Sequence, residues 1–283
     1  MISLLIIAHE EHEKLSLHLP ALLSQEGAVY EVVVVDMNSE DDTLVLLKSL
    51  EEHYPHLQHL SLPVSARDIS RERLALHLGM RAAKFSHVLV LNAGIEAPSP
   101  HWLADIENRW RTDCDIMLIP TQRTRSKRLG DYFTAGHEAW RNKLHQRQAL
   151  RKNIFCAGTA IVGLNKEIFL THNSPAKHLA LKTGTLDIFI SHVANRYNTI
   201  YLEDKELYPT EDAVGSSLFW QQKRLFDVET RHHFTGQVKR HLSYITHCFT
   251  TIHKGAIPYC IIDVWDHLRW LLTRKKTFIK KHY

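Results

Sequence analysis

The stretch EVVVVDMNSEDDT, residues 31–43, carries the pattern from which the fold can be predicted. Four consecutive valines, residues 32–35, form an apolar run with a carboxylate on either side. Such a run is typical of a strand buried on both faces of a parallel sheet. The polar residues after Asp36 favour a turn, and residues 41–52 then place leucines and a valine at helical spacing. The stretch therefore predicts a buried strand, a polar loop at its carboxyl end and a helix.

The same alternation of strand and helix runs through the first half of the chain. Strands are predicted at residues 2–8, 31–36, 57–62, 87–92 and 115–120, and helices at residues 15–23, 41–52, 69–83 and 100–111. Apolar strands that are each followed by a helix predict an α/β fold, with a parallel sheet covered by helices on both faces.

The second half of the chain is less regular. Helices are predicted at residues 131–149 and 186–195, strands at residues 155–164 and 199–202, and helical structure from there to the last residue. No linker rich in proline or serine separates these parts. We therefore expect one α/β domain over residues 1–215 and a helical extension over residues 216–283.

The composition excludes several classes of protein. Hydrophobic residues make up 44% and charged residues 23%, as in ordinary globular proteins, and the net charge of +4 does not indicate a nucleic-acid partner. The four cysteines include no Cys-x-x-Cys pair, so neither a disulfide framework nor a zinc ribbon is indicated. No segment has the pattern of a signal peptide or the length of a membrane span. We expect a reduced, cytoplasmic environment.

Polar residues follow three of the predicted strands. The residues at these strand ends are Ala8-His9-Glu10, Asp36 and Asn92-Ala93-Gly94. Open parallel sheets bind ligands beyond the carboxyl ends of their strands, at the point where the strand order reverses. The sequence contains neither the glycine-rich fingerprint of dinucleotide sites nor a P-loop. A ligand crevice is therefore predicted at this edge of the sheet, without either of those motifs.

Four segments, in this order along the chain, resemble the family 2 glycosyltransferases, which have the GT-A fold. They are residues 3–25, residues 31–43, residues 71–103 and the segment SLFWQQKRLF at residues 217–226. The resemblance implies a nucleotide-sugar donor and a glycan or lipid-linked acceptor. It implies nucleotide-binding positions at Ala8, Glu10, Asp36, Arg71, Asn92 and Gly94, with Asp36 bonded to the base. Gln221 and Arg224 match a Gln-x-x-Arg-Trp element in which Leu225 replaces the tryptophan.

The chain departs from the family at the end of the fourth strand. Members of the family normally have Asp-x-Asp there, and those carboxylates hold a divalent metal against the diphosphate. Asn92 offers only a neutral amide, Gly94 has no side chain, and Glu96 comes two residues too late. No metal cofactor is therefore expected. Arginines of the loop at residues 123–128, among them Arg123 and Arg125, are either diphosphate ligands or part of a solvated basic loop.

The chain also has fewer acidic residues than the family where the acceptor-activating base is expected. Asp187 remains where members commonly have two or three acids, and it serves either as the base or to cap a helix. Two hypotheses follow. One is an inverting transferase, and the other is a non-catalytic relative that binds a nucleotide or a partner protein.

An apolar and aromatic stripe marks the helix predicted at residues 256–272, and a basic tail without acids follows it. A stripe of this kind belongs either to a packing helix or to a helix that docks on an anionic membrane surface.

Overall fold

The computed structural model describes residues 1–62, 70–111, 113–123, 161–172, 185–195 and 197–212, with short pieces between residues 136 and 140 and between residues 242 and 268. Several predictions fall outside these residues. They concern most of the helix at 131–149, the loop at 124–130, the first part of the strand at 155–164, and Arg125, Gln221 and Arg224.

The main sheet has seven strands. They are β1 (Ile2–Ala8), β2 (Tyr30–Asp36), β3 (Leu57–Ser61), β4 (His87–Leu91), β6 (Ile116–Ile119), β8 (Ile161–Asn165) and β9 (Thr199–Tyr201). Their order is β3-β2-β1-β4-β8-β6-β9, and only β8 runs antiparallel to its neighbours. The expected parallel sheet is thus confirmed except at β8. An apolar run indicates that a strand is buried but carries no information about its direction, which is why the sequence did not reveal this reversal.

Helices cover both faces of the sheet. They are α1 (His12–Leu23), α2 (Thr43–His53), α3 (Arg71–Ala82), α4 (Trp102–Arg109), α5 (Lys166–His172) and α6 (Thr185–Val193). Successive side chains of a strand point to opposite faces. Leu4 and Ile6 accordingly pack with residues of α1 and α4, while Leu5 packs with residues of α3, α5 and α6. The two cores explain why the strands read as unbroken apolar runs.

A second sheet lies beyond the carboxyl end of β4. Its three short strands are β5 (Ile95–Glu96), β7 (Gln122–Arg123) and β10 (Thr210–Glu211), with β10 in the middle. A 3-10 turn at Lys205–Leu207 precedes β10. Trp102 at the start of α4 holds this turn, because its indole nitrogen donates to the carbonyl of Leu207 at 3.0 Å. The large core therefore fixes the position of β10.

The described residues between 257 and 268 are helical and have two different sides. Cys260 is buried in a small cluster with Trp140 and Cys248, which is also the packing site of Val264. Four apolar residues are exposed: Ile257, Ile261, Trp265 and Leu268. None of the helices among the described residues has the length and apolar character needed to cross a membrane.

Candidate functional site

The strand order reverses between β1 and β4, and a ligand crevice is expected at the carboxyl ends of these two strands. Ala8 ends β1 and stands in register with Asp36, which ends β2. Met37 continues this pairing, because its N–H donates to the carbonyl of Ala8 at 2.8 Å. Asn92 directly follows β4 on the other side of β1. The structure thus brings Ala8, Asp36 and Asn92 to one edge of the sheet, as the sequence predicted.

Asp36 is only 2% exposed, and its carboxylate organises the loop that follows it. Ser39 donates its N–H to both carboxylate oxygens at 3.2 Å and its hydroxyl to Oδ1 at 2.5 Å. The same hydroxyl accepts the N–H of Glu10 at 2.8 Å. Asp36 therefore ties the loop after β2 to the loop after β1.

Ser39 does not cap the following helix, although a serine three residues before an acid, here Asp42, resembles a capping box. The helix begins at Thr43, and Asp42 occupies the N-cap position without a side-chain capping bond. Ser39 is unavailable as a cap because its hydroxyl is bonded to Asp36 and Glu10. The Ser39 hydroxyl instead joins the loop after β1 to the loop after β2.

Both loops contain a residue in the left-handed region of backbone conformation. The φ angle is 56° at Glu10 and 59° at Asn38. Asparagine adopts this region fairly often, whereas glutamate does so rarely and at an energetic cost. Strained residues of this kind are concentrated at functional sites, where the surrounding structure holds them in place. Their presence in both loops supports a binding role for this edge of the sheet.

Asp41 makes a second link between the loops. Its carboxylate accepts the N–H of His12 at 3.2 Å and the N–H of Thr43 at 3.1 Å. Loss of some surrounding water raises the pKa of the exposed Asp41, but the hydrogen bonds from Thr43 and His12 outweigh this effect, so that the pKa lies below its ordinary value. The carboxylate is consequently ionised at neutral pH and keeps the start of α1 beside the start of α2.

Arg71 reaches the same loop from the first position of α3. Its guanidinium is half-buried and donates to the carbonyl of Met37, next to Asp36. Ser70 caps this helix by accepting the N–H of Arg73 at 3.3 Å. The structure therefore places Arg71 at the predicted nucleotide site, although its contact with a ligand stays a prediction.

Beyond β4 the structure shows acidic residues that the sequence analysis did not single out. Glu211 is buried and accepts the amide N–H of Asn92 at 2.9 Å and the hydroxyl of Thr121 at 3.1 Å. Asp212 follows, and its N–H donates to the carbonyl of Gly94 at 3.1 Å. The consecutive acids at 211 and 212 were visible in the sequence, but a two-residue strand offers no periodic pattern that would place them at this edge.

Gly94 is closely packed from two directions. A Cβ atom at this position would lie 3.2 Å from Oδ2 of Asp212 and 3.2 Å from Cδ of Lys14. The same Asp212 oxygen is 3.0 Å from Nε2 of His18, a buried residue of α1. We call this cluster the Gly94 corner and define it by six residues: Lys14, His18, Asn92, Gly94, Glu211 and Asp212.

The residues of the Gly94 corner do not fit a divalent metal. Asn92 turns its amide N–H towards Glu211, and the space that a second carboxylate would need is taken by Asp212 and Lys14. Glu96 is exposed in β5 and pairs with Thr210. Across the part of the chain that the structure describes, no three His, Cys, Asp or Glu side chains are grouped so as to hold a metal ion.

Two further predicted residues are placed by their backbones. Arg123 in β7 is in register with Glu211, which brings it beside the Gly94 corner. Asp187 lies in the first turn of α6 and is half-buried. The chain just after α6 meets the start of β6, because Asp115 and Ile116 donate to the carbonyl of Asn198. The helix is therefore followed by a segment that lies at the amino edge of the sheet.

Comparisons with known proteins agree with this fold. The sequence model for glycosyl transferase family 2 matches residues 3–171. A mannosyltransferase from Pyrobaculum calidifontis, solved with GDP-Man and Mn²⁺, is similar in structure with a TM-score of 0.59 and 14% identity, over 99% of this chain and 81% of the other. Residues 1–349 of TarS from S. aureus, also solved with UDP and with UDP-GlcNAc, give a TM-score of 0.55 and 14% identity, over 96% of this chain and 81% of theirs. No curated protein matches in sequence.

The family match extends over more than half of the chain. The chain belongs to glycosyl transferase family 2. Its fold is that of the GT-A glycosyltransferases, as the sequence predicted.

Proposed function

We propose that this chain binds a nucleotide-sugar donor at the carboxyl edge of its sheet and transfers the sugar, with inversion, to a hydroxyl of a glycan or lipid-linked acceptor. The observation that carries the proposal is the convergence of Ala8, Asp36 and Asn92 at the reversal of strand order, beside two loop residues with left-handed backbone conformation. Family membership and structural neighbours solved with UDP-GlcNAc and GDP-Man support the class of donor.

In the proposed reaction an acceptor oxygen attacks the anomeric carbon while the bond from that carbon to the diphosphate breaks. Asp36 would hold the base of the donor, and Arg71, Arg123 and Arg125 its phosphates. Gln221 and Arg224 would lie on the acceptor side. A carboxylate that takes the acceptor proton contributes a factor of about 10²–10⁴ in rate.

Two carboxylates are candidates for this base. Asp187 is the residue that the sequence predicted, in the first turn of α6. Asp212 is supported by its position against Gly94, next to the end of β4, with His18 to orient it. Separate Asp187→Asn and Asp212→Asn variants should distinguish them, because only the base should lose turnover while donor binding stays unchanged.

The rival proposal is a relative that binds a nucleotide but does not turn it over. The absence of carboxylates at positions 92 and 94 favours it. Calorimetric titration of the whole chain with UDP, GDP and TDP, each in EDTA and in Mn²⁺, is the first experiment. Saturable binding of one nucleotide supports a donor site, and release of sugar from the matching nucleotide-sugar then separates the transferase from the inactive relative. Failure of all three nucleotides to bind would contradict both proposals and leave only the role of a relative that binds a partner protein.

Replacing Asp36 is expected to weaken nucleotide binding. We expect Asp36→Ala to cost about 1–3 kcal/mol of binding free energy, the range for a lost hydrogen bond to a charged group. Asp36→Asn serves as the comparison, since an amide oxygen can still accept from Ser39 and so preserve the loop. Calorimetry measures the affinities, and circular dichroism checks the fold. Unchanged affinity in a folded Asp36→Ala protein would remove Asp36 from the site.

A membrane surface is part of the proposed acceptor side. Ile257, Ile261, Trp265 and Leu268 are spaced by four, four and three positions, so they form one exposed apolar face of the helix. Trp265 is 65% exposed, which is unusual for so large an apolar side chain. The sequence after residue 268 contains six lysines and arginines and no acid. An apolar face next to basic residues is complementary to an anionic bilayer.

Deleting residues 274–283 is expected to reduce binding to anionic vesicles, because five of the six basic residues are lost. Co-sedimentation with phosphatidylcholine vesicles, with and without phosphatidylglycerol, measures the effect, and binding of the full chain should fall as salt is added. Trp265→Ser should weaken binding, whereas Val45→Ser, at an equally exposed apolar residue of α2, should not. A full chain that ignores anionic vesicles at low salt would rule out docking.

A further inference from the structure

The space at Gly94 is filled from α1. Glu11, Lys14 and His18 lie on one side of this helix, because they are separated by three and four positions. The aliphatic stem of Lys14 crosses Gly94, with Cδ 3.2 Å from the position of a Cβ atom there. Its ammonium group is 2.6 Å from the Glu11 carboxylate, and the side chain is 46% exposed. The stem of a lysine therefore lies where the family pattern would put its second metal-binding carboxylate, and its cation is two bonds further along the side chain.

We propose that the ammonium group of Lys14 binds the diphosphate of the donor and takes the place of a divalent metal ion in this chain. The inference rests on the proposed function, and it assigns the class of ligand group, a nucleoside diphosphate, that this corner recognises. A lysine ammonium is a compact charge with three donors and is well suited to phosphate oxygens. On binding, phosphate oxygens replace the Glu11 carboxylate as its partner.

Lys14 is surrounded mainly by acidic side chains. An open depression of about 420 Å³ beside the Gly94 corner is lined by Glu10, Glu11, His12, Glu13, Lys14, Asp41 and Asp42. Among these lining residues Lys14 is the one with a permanent positive charge, against five carboxylates. Five carboxylates repel a diphosphate, so binding at this depression requires a cation that contacts the phosphates. The Gly94 corner does not fit a metal ion, and Lys14 is the cation that the lining supplies.

Substituting Glu11 distinguishes phosphate binding by Lys14 from metal binding by acidic side chains. The two explanations predict opposite changes in diphosphate affinity. If Lys14 binds the phosphates, the Glu11 carboxylate competes with them for the ammonium group, and Glu11→Gln should strengthen binding. If acidic side chains bind a metal ion for the diphosphate, the same substitution removes a negative charge that favours the ion and should weaken binding.

The experiment uses calorimetry on the full chain, with the nucleoside diphosphate that binds best and with the corresponding nucleoside. In EDTA and in Mn²⁺ the wild-type affinities should agree within about twofold. Lys14→Gln should weaken diphosphate binding by roughly tenfold or more, the loss of one hydrogen bond between charged groups. Nucleoside binding should be unchanged, and Lys14→Arg should keep most of the affinity. Glu11→Gln should improve diphosphate binding a few-fold, while Lys48→Gln, at an exposed lysine of α2, should have no effect.

Four results would overturn the inference. Diphosphate binding that requires Mn²⁺ would do so, as would weaker binding by Glu11→Gln. Equal diphosphate affinity in Lys14→Gln and the wild type would overturn the role of Lys14 alone and leave the proposed function intact. A wild-type chain that binds neither the nucleosides nor their diphosphates would overturn both. Thermal melting of each variant confirms that it is folded.

Discussion

Trp102→Ala should lower the free energy of unfolding by about 3–5 kcal/mol, the usual range for removing a buried tryptophan. Trp102 is 0% exposed in the core between the sheet and helices α1 and α4. Its removal leaves a cavity and also leaves the carbonyl of Leu207 without the indole donor at 3.0 Å. The turn before β10 would then lose its anchor, so Glu211 and Asp212 should become less ordered than the rest of the fold.

Urea unfolding followed by circular dichroism measures this change. Trp265→Ala is the matched control, because Trp265 is exposed and should change the free energy of unfolding by no more than about 0.5 kcal/mol. Trp102→Phe separates the two causes, since it keeps most of the volume and removes the donor. A loss below about 1 kcal/mol in Trp102→Ala would contradict the position of this side chain in the core.

Combining Asn92→Asp with Gly94→Asp should introduce metal dependence. The new carboxylate at position 92 would face Glu211 across the present distance of 2.9 Å, and two carboxylates so close repel each other unless a cation or a proton lies between them. In EDTA the double variant should melt below the wild type, and Mn²⁺ should restore it. Metal binding contributes about 2.7 kcal/mol when the free ion is at 100 times its Kd.

The single variants separate the contributions at the two positions. Gly94→Asp alone must displace Lys14 or Asp212, so it should destabilise without creating a metal site. Asn92→Asp alone should show the larger response to Mn²⁺. The double variant is not expected to turn over faster than the wild type, because Leu186 remains apolar beside Asp187. Strong Mn²⁺ dependence in the wild type that is lost on changing Glu96 would contradict this interpretation.

The strands of the large sheet could be predicted because each is marked by its own residues. β1, β2 and β4 are continuous apolar runs that end in polar residues, and the structure places their ends within a residue of the predicted positions. The direction of β8 could not be predicted, since it depends on its partners β4 and β6 rather than on its own residues. The division into residues 1–215 and 216–283 stays a prediction.

The candidate site was predictable where it consists of strand ends. The positions of Asp36 and Asn92 could be predicted because each ends an apolar run. The position of Arg71 could be predicted because it lies at the start of a helix. The Gly94 corner was not predictable, because β5, β7 and β10 have two residues each and carry no period. Sequence spacing shows that Lys14 and His18 share one side of α1, but not that Gly94 and Asp212 lie opposite them.

The Gly94 corner also has a consequence for the order of folding. Its contacts join residues far apart in the chain, 119 positions for Asn92 with Glu211 and 194 positions for His18 with Asp212. Contacts of such long range close slowly, because the entropy of a large loop must be lost first. β10 finds partners only after β5 and β7 have been positioned by the main sheet. We therefore expect the corner to form late, as a step that completes an already folded main sheet.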